Sequence, residues 1–199
     1  MHKSMIVAVM AAALAATPSF AQTPASGAAK PADQTRSTAA AGKSDKTDKT
    51  HGALTTAQGF LKKVAEGGMA EVQVSQLAAT KASRADVKAF AEKLVADHTK
   101  ANDEVKALAA RKSIDLPTTL DARHKATHDK LAALSGAAFD RAYLDAMMAD
   151  HRADVAEFKR QSTMNQDPDV KAWAAKTLPT LEEHLKQVQA LSRNGAKTQ

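Results

Sequence analysis

Three histidines carry most of the chemistry this sequence can offer. His98 and His151 each close an Ala-Asp-His triplet, Ala96-Asp97-His98 and Ala149-Asp150-His151, and His184 follows Glu182-Glu183. Imidazole titrates near neutral pH and is the commonest metal ligand in proteins. It suits Zn, Cu, Fe or Ni. Glu71 is the one acidic residue placed to join the three rings, as a fourth ligand. Asp97, Asp150 and Glu183 each precede a histidine. Neighbours on a helix diverge by about 100°, so these carboxylates stand to the side, where they either orient an imidazole or face solvent. Tyr143, Ser75 and Thr177 are further hydrogen-bonding partners for a buried ring. Met69, Met147 and Met148 add thioethers, which are soft ligands for copper or simply core filler. Zn or Cu is therefore the candidate cofactor. The competing reading is a buried polar layer that only specifies packing.

The elements that must position these residues are helices. Val87, Ala91, Leu94, His98, Ala101, Val105 and Leu108 recur at steps of four and three, which sets His98 in an apolar seam of a helix B over about 84–112. Ser83 with Asp86 is expected to cap it. Leu144, His151 and Phe158 are seven apart on a helix C over about 138–164. Val170, Trp173, Thr177, Leu181, His184, Val188 and Leu191 line a helix D that starts at Asp167-Pro168 and closes at Arg193-Asn194-Gly195. Helix A, over about 56–81, starts at a Thr55/Gln58 capping box and turns Glu71 toward the same interior. His124 and His128, four apart on a shorter helix within 118–134, read as a surface pair.

Val87-Lys88-Ala89-Phe90-Ala91 matches Val170-Lys171-Ala172-Trp173-Ala174, and helices A and C align more weakly, Phe60 on Phe139 and Glu71 on Asp150. Two similar helical hairpins joined by a longer connection predict an all-α fold: a ferritin-like antiparallel four-helix bundle with a short crossover helix between helices B and C. Ferritin-like di-iron sites place Glu three residues before His. Here those positions are Val95, Met148 and Leu181, so ferroxidase chemistry is disfavoured. No Ser-His-Asp arrangement or phosphate-cradling glycine loop suggests a metal-free enzyme.

Composition bounds the rest. Residues 1–21 read as a signal peptide: a basic start at Lys3, an apolar run from Met5 to Ala16 and small residues before Gln22. Residues 22–53 hold no apolar side chain larger than Ala before Leu54 and are expected to be a disordered linker, leaving 54–195 for the bundle. The 199 residues include no cysteine, which excludes disulfides, thiol catalysis and Cys-based zinc sites. A formal charge of +6 is spread along the chain and aromatics are scarce, so no nucleic-acid partner is expected. After signal cleavage no transmembrane span is expected, and a weak attraction to envelope surfaces is the most the charge suggests. The expected location is periplasmic or otherwise exported.

A resemblance agrees with this frame. Phe60 with Gly68 and Glu71-Val72, Val87-Lys88 with Phe90-Ala91, Asp97-His98-Thr99 with Ala101-Asn102, Leu116-Pro117, Phe139-Asp140 with Tyr143-Leu144, Asp150-His151, Leu178-Pro179 and His184-Leu185 together resemble the exported bacterial proteins of domain-of-unknown-function family 4142, often labelled outer membrane proteins. The resemblance covers about residues 54–193. It implies a ferritin-like fold and export, and it implies no particular activity. No amphipathic β-strand signature accompanies the outer-membrane label.

Overall fold

A computed structural model describes the backbone of residues 45–197 and the side chains of residues 57–195. The expected signal peptide, and the linker up to residue 44, lie outside the described residues. Five helices account for the architecture: α1 (Asp45–Lys81), α2 (Ala85–Arg111), α3 (Ala122–Ala132), α4 (Gly136–Met164) and α5 (Pro168–Lys197). No strand occurs among the described residues. The fold is an all-α helical bundle. None of the described helices is long and apolar enough to cross a membrane.

The long helices pair as α1 with α2 and α4 with α5. Both pairs run antiparallel. Gly68 lies against Asn102 and Glu71 against His98 in the first, while Phe158 meets Trp173 and His151 meets His184 in the second. The two hairpins meet through α2·α5 and α1·α4, and α3 packs on α1 and α4.

Helix ends differ from the sequence expectation in three places. α1 starts at Asp45, well before the Thr55/Gln58 box, so residues 45–53, assigned by composition to the linker, are helical. Once the buried stretch from Ala57 onward has nucleated the helix, each added residue needs only propagation. At the start of α2 the local Ser83/Asp86 cap does not form. Asp140, from α4, accepts instead from the Ser83 amide and hydroxyl and from the Arg84 amide. A buried carboxylate from another helix satisfies these donors, while Asp86 pairs with Arg84. α5 runs past Gly195 to Lys197. Its start is as read: Asp167 Oδ1 accepts from the Asp169 and Val170 amides, ahead of Pro168.

The apolar core falls into two clusters. One gathers Val74, Leu94, Phe139, Tyr143, Met147 and Val188. The other gathers Phe60, Leu61, Leu108, Phe158, Trp173 and Leu181, with an edge contact of 5.1 Å between the Phe60 and Phe158 rings. Along each long helix, one buried polar residue separates the segments that feed the two clusters: Glu71, His98, His151 and His184.

Candidate metal centre

These four residues form a single polar layer, one from each long helix. The helical period produces it. Each residue shares a seam with apolar residues three, four or seven positions away, such as Val64 and Val74, Leu94 and Val105, Leu144 and Phe158, and Leu181 and Leu191, so packing the seams carries the polar group inside. His151 and His184 are at most 1% exposed, and Glu71 and His98 are also buried. The His98 ring centroid lies 5.4 Å from those of both His151 and His184, and the latter two are 5.2 Å apart. One nitrogen from each ring lies within 4.8 Å of the others.

The outer hydrogen bonds favour one set of proton positions. His151 Nδ1 lies 3.0 Å from the Met147 carbonyl oxygen and 3.4 Å from Glu71 Oε1, so it faces acceptors and carries the hydrogen. His184 Nε2 lies 2.8 Å from Asp97 Oδ2 and 3.5 Å from the Lys93 ammonium, and the shorter contact to the carboxylate favours it as a donor. His98 Nδ1 stands 3.0 Å from Glu71 Oε2. The remaining nitrogens are then His151 Nε2, His184 Nδ1 and His98 Nε2. The first two face each other at 3.2 Å, and His98 Nε2 has no hydrogen-bond partner.

Charge in the layer is divided unevenly. Burial pushes the His184 imidazolium down to about 4, with His98 and His151 adding repulsion and Asp97 opposing. Burial also lowers His151. His98 moves the other way: burial would lower it, but the Glu71 carboxylate outweighs that and raises it. Burial would raise Glu71, and the surrounding imidazoles, His98 first, draw it down to about 2. At neutral pH, His151 and His184 are thus neutral rings, and the tautomers that the outer contacts favour turn their lone pairs toward each other.

A cavity of ≈ 240 Å³ opens beside the layer. Glu71, His98 and His184 line it together with Asp154, Phe158 and Trp173. Asp154 is partly buried, and its carboxyl is pushed up to about 7, chiefly by burial and then by the nearby Glu71.

The structure brings His98, His151 and His184 together. Glu71 approaches the Nδ1 side of His98 and of His151, opposite the nitrogens left bare, rather than joining them as a fourth donor. Asp97 does orient an imidazole, but that of His184 across the helix interface rather than its neighbour His98. Asp150 pairs with Arg123 at 3.4 Å and lines the cavity. Glu183 is half exposed and accepts from Gln187, away from the layer. The Tyr143 hydroxyl is engaged with Ser75 at 2.9 Å. His124, read as a surface residue, lines the cavity and sits 3.1 Å from Asp121, whereas His128 pairs with the exposed Asp129. Asp154 is not marked by the histidine seams. Its signal is the spacing, three residues after His151 and four after Asp150.

An all-helical bundle with imidazoles buried between its helices is the class that fold and site define. The chain belongs to the family described as Domain of unknown function (DUF4142), whose model matches residues 21–191. No curated protein sequence matches it. Two solved structures share the fold. One is a DUF305 fragment from Deinococcus radiodurans, 13% identical, covering 69% of this chain and 95% of that one, with a TM-score of 0.62. The other is CopM in the Cu(II)-bound form, 18% identical, covering 69% and 96%, with a TM-score of 0.60.

Proposed function

We propose that this protein binds one divalent transition-metal ion, copper(II) in preference to zinc, through His98 Nε2, His151 Nε2 and His184 Nδ1. One observation carries the reading. His151 Nε2 and His184 Nδ1, both without hydrogen once the outer bonds are counted, face each other at 3.2 Å. Two lone pairs at that separation repel unless a cation lies between them. Imidazole nitrogens bind such ions at about 2.0–2.1 Å, which sets two neighbouring ligands about 2.9 Å apart on a tetragonal ion and about 3.3 Å apart on a tetrahedral one, on either side of the observed separation. One nitrogen of the His98 ring lies within 4.8 Å of one from each of the other two rings. Met147 O, Asp97 and Glu71 hold the outer nitrogens, as hydrogen-bonding partners of metal-bound histidines do. Copper(II) stands highest in the affinity order for such donors. The Cu(II)-bound neighbour of the same fold makes copper the first ion to try.

The test is elemental analysis and titration calorimetry on the full chain purified without a histidine tag. About one ion per chain, lost in His151→Ala and His184→Ala, is expected. Metal-free protein whose melting temperature ignores added copper and zinc overturns the reading. The Glu71–His98 contact at 3.0 Å favours a second reading, a polar layer that supplies its own counter-charge and only specifies packing. That outcome is its signature.

We further read residues 1–21 as a cleaved signal, the protein as exported, and the two hairpins with α3 between them as a ferritin-like bundle with a crossover helix. The apolar run from Met5 to Ala16 supports export. A mature N-terminus at Gln22 is expected on sequencing.

A further inference from the structure

The cavity beside the imidazoles is charged against the sign of the molecule. The chain carries a formal +6. The cavity lining holds seven carboxylates, including Glu66, Glu71, Asp150 and Asp154, against Lys63 and Arg123, a formal −5. Lys93 and Arg160, just outside, pair with Asp97 and Glu157, and Arg123 pairs with Asp150. Asp154 has no hydrogen-bond or ion-pair partner among the described residues. It stands i+4 from Asp150, so the two share a face of α4 along the cavity. Apolar side chains complete the lining: Phe158, i+4 from Asp154 on α4, and Trp173 and Leu181 on α5. Low-dielectric walls around like charges focus the field and concentrate counter-ions.

An acidic wall alone is common on protein surfaces. Here it leads to His98, a buried ring that lines the same cavity and whose Nε2 has no partner. The volume, ≈ 240 Å³, is many times the roughly 15 Å³ that one water needs, so an ion can stand there with its hydration shell.

We infer that the cavity is a cation vestibule: Asp154 and Asp150 capture the hydrated ion and raise the rate at which it reaches the imidazoles. The inference rests on the metal-binding reading and adds a kinetic role to residues outside the donor set. The carboxylates steer the ion and the imidazoles hold it. Their removal therefore slows association and leaves dissociation alone.

Trp173, the sole tryptophan, lines the cavity and supplies the signal. Copper(II) alone is mixed at pH 7.5 with the full chain, with D150N/D154N, and with D103N, whose exposed carboxylate lies outside the cavity lining. Quenching is followed in time. The double variant is expected to associate roughly tenfold more slowly than D103N at low salt, with a gap that closes at high salt and dissociation rates that agree. Association as fast as in D103N, with binding intact, overturns the vestibule alone. So does a loss confined to the dissociation rate, which would make Asp154 a ligand or a packing residue. No association by quenching or calorimetry in the unaltered chain overturns both readings.

Discussion

In the α1–α2 hairpin the buried polar pair is Glu71 and His98, in contact at 3.0 Å; in the α4–α5 hairpin it is His151 and His184, in contact at 3.2 Å. The burial is the same and the chemistry is not. An acid facing a base carries its own counter-charge: Glu71 raises His98, and the imidazoles lower Glu71. Two bases facing each other supply none to one another, and His184 is pushed down to about 4, chiefly by burial, with Asp97 opposing. The first hairpin is charge-compensated as folded. The second is the pair to which we assign the cation, with the first hairpin's His98 as the proposed third donor. In a chain with a detectable internal repeat, a carboxylate on α1 and an imidazole on α4 separate a closed pair from an open one.

The largest effect comes from breaking the open pair. His151→Ala and His184→Ala should each weaken copper(II) binding at least about 100-fold by calorimetry, since each removes one of three donors. Glu71→Gln leaves all three imidazoles and should cost about tenfold, the usual scale for a group that orients a ligand. Equal losses in all three variants would contradict the division between the hairpins.

The closed pair should answer in stability instead. Glu71→Gln leaves His98 buried without its acid and should destabilise the metal-free protein by about 2–3 kcal/mol at pH 7, read from urea unfolding. The pH dependence follows from the direction of the shift. The folded carboxyl is held below its ordinary value of 4.5, so its contribution is present above that pH and is lost as pH falls toward about 2. The gap between variant and parent should therefore shrink below about pH 4. His184 works in the same direction over a higher window: with its folded value depressed to about 4, the unfolded chain takes up protons first as pH falls from 6.5, and stability drops.

Much of this layer was legible because a helical seam is a local pattern. The apolar neighbours of His98, His151 and His184 already mark the buried face of each helix, and those rings do lie inside. What depends on helix-to-helix register was not legible. Asp97 reads as the companion of His98, its neighbour in sequence, yet its partner is His184 on α5. Ser83 reads as its own helix cap, yet Asp140, 57 residues on, binds its amide and hydroxyl. Residues 45–53 lack an amphipathic pattern, and their helix is an extension of one nucleated downstream. Asp154 escaped because a search for apolar seams passes over an acid at the seam's edge.

Asp154 gives a smaller effect of opposite sign. Its folded carboxyl titrates near 7 rather than 3.8, because burial and the neighbouring Glu71 disfavour the anion. Between those values the native state binds more protons than the unfolded chain, so its stability falls as pH rises. Asp154→Asn removes that cost. A gain of about 1 kcal/mol is expected at pH 8, allowing for the group's partial exposure, and none at pH 4. Urea midpoints at the two pH values decide it. A loss at pH 8 would mean that the carboxylate has a partner in the metal-free protein.

The smallest effect tests the backbone that brings the closed pair together. Gly67 and Gly68 lie next to each other on α1, a turn before Glu71, and both line the cavity. A Cβ on Gly67 would meet nothing within 4 Å, so Gly67→Ala should gain up to about 1 kcal/mol from helix propensity alone. A Cβ on Gly68 would stand 2.0 Å from Asn102 Oδ1. That atom is the end of a side chain one turn beyond His98, so it can turn aside, and the propensity gain should be largely offset. Melting temperatures are expected to place Gly67→Ala above the parent and Gly68→Ala near it. A clear gain in Gly68→Ala would show that the close approach of α1 to α2 does not depend on that glycine.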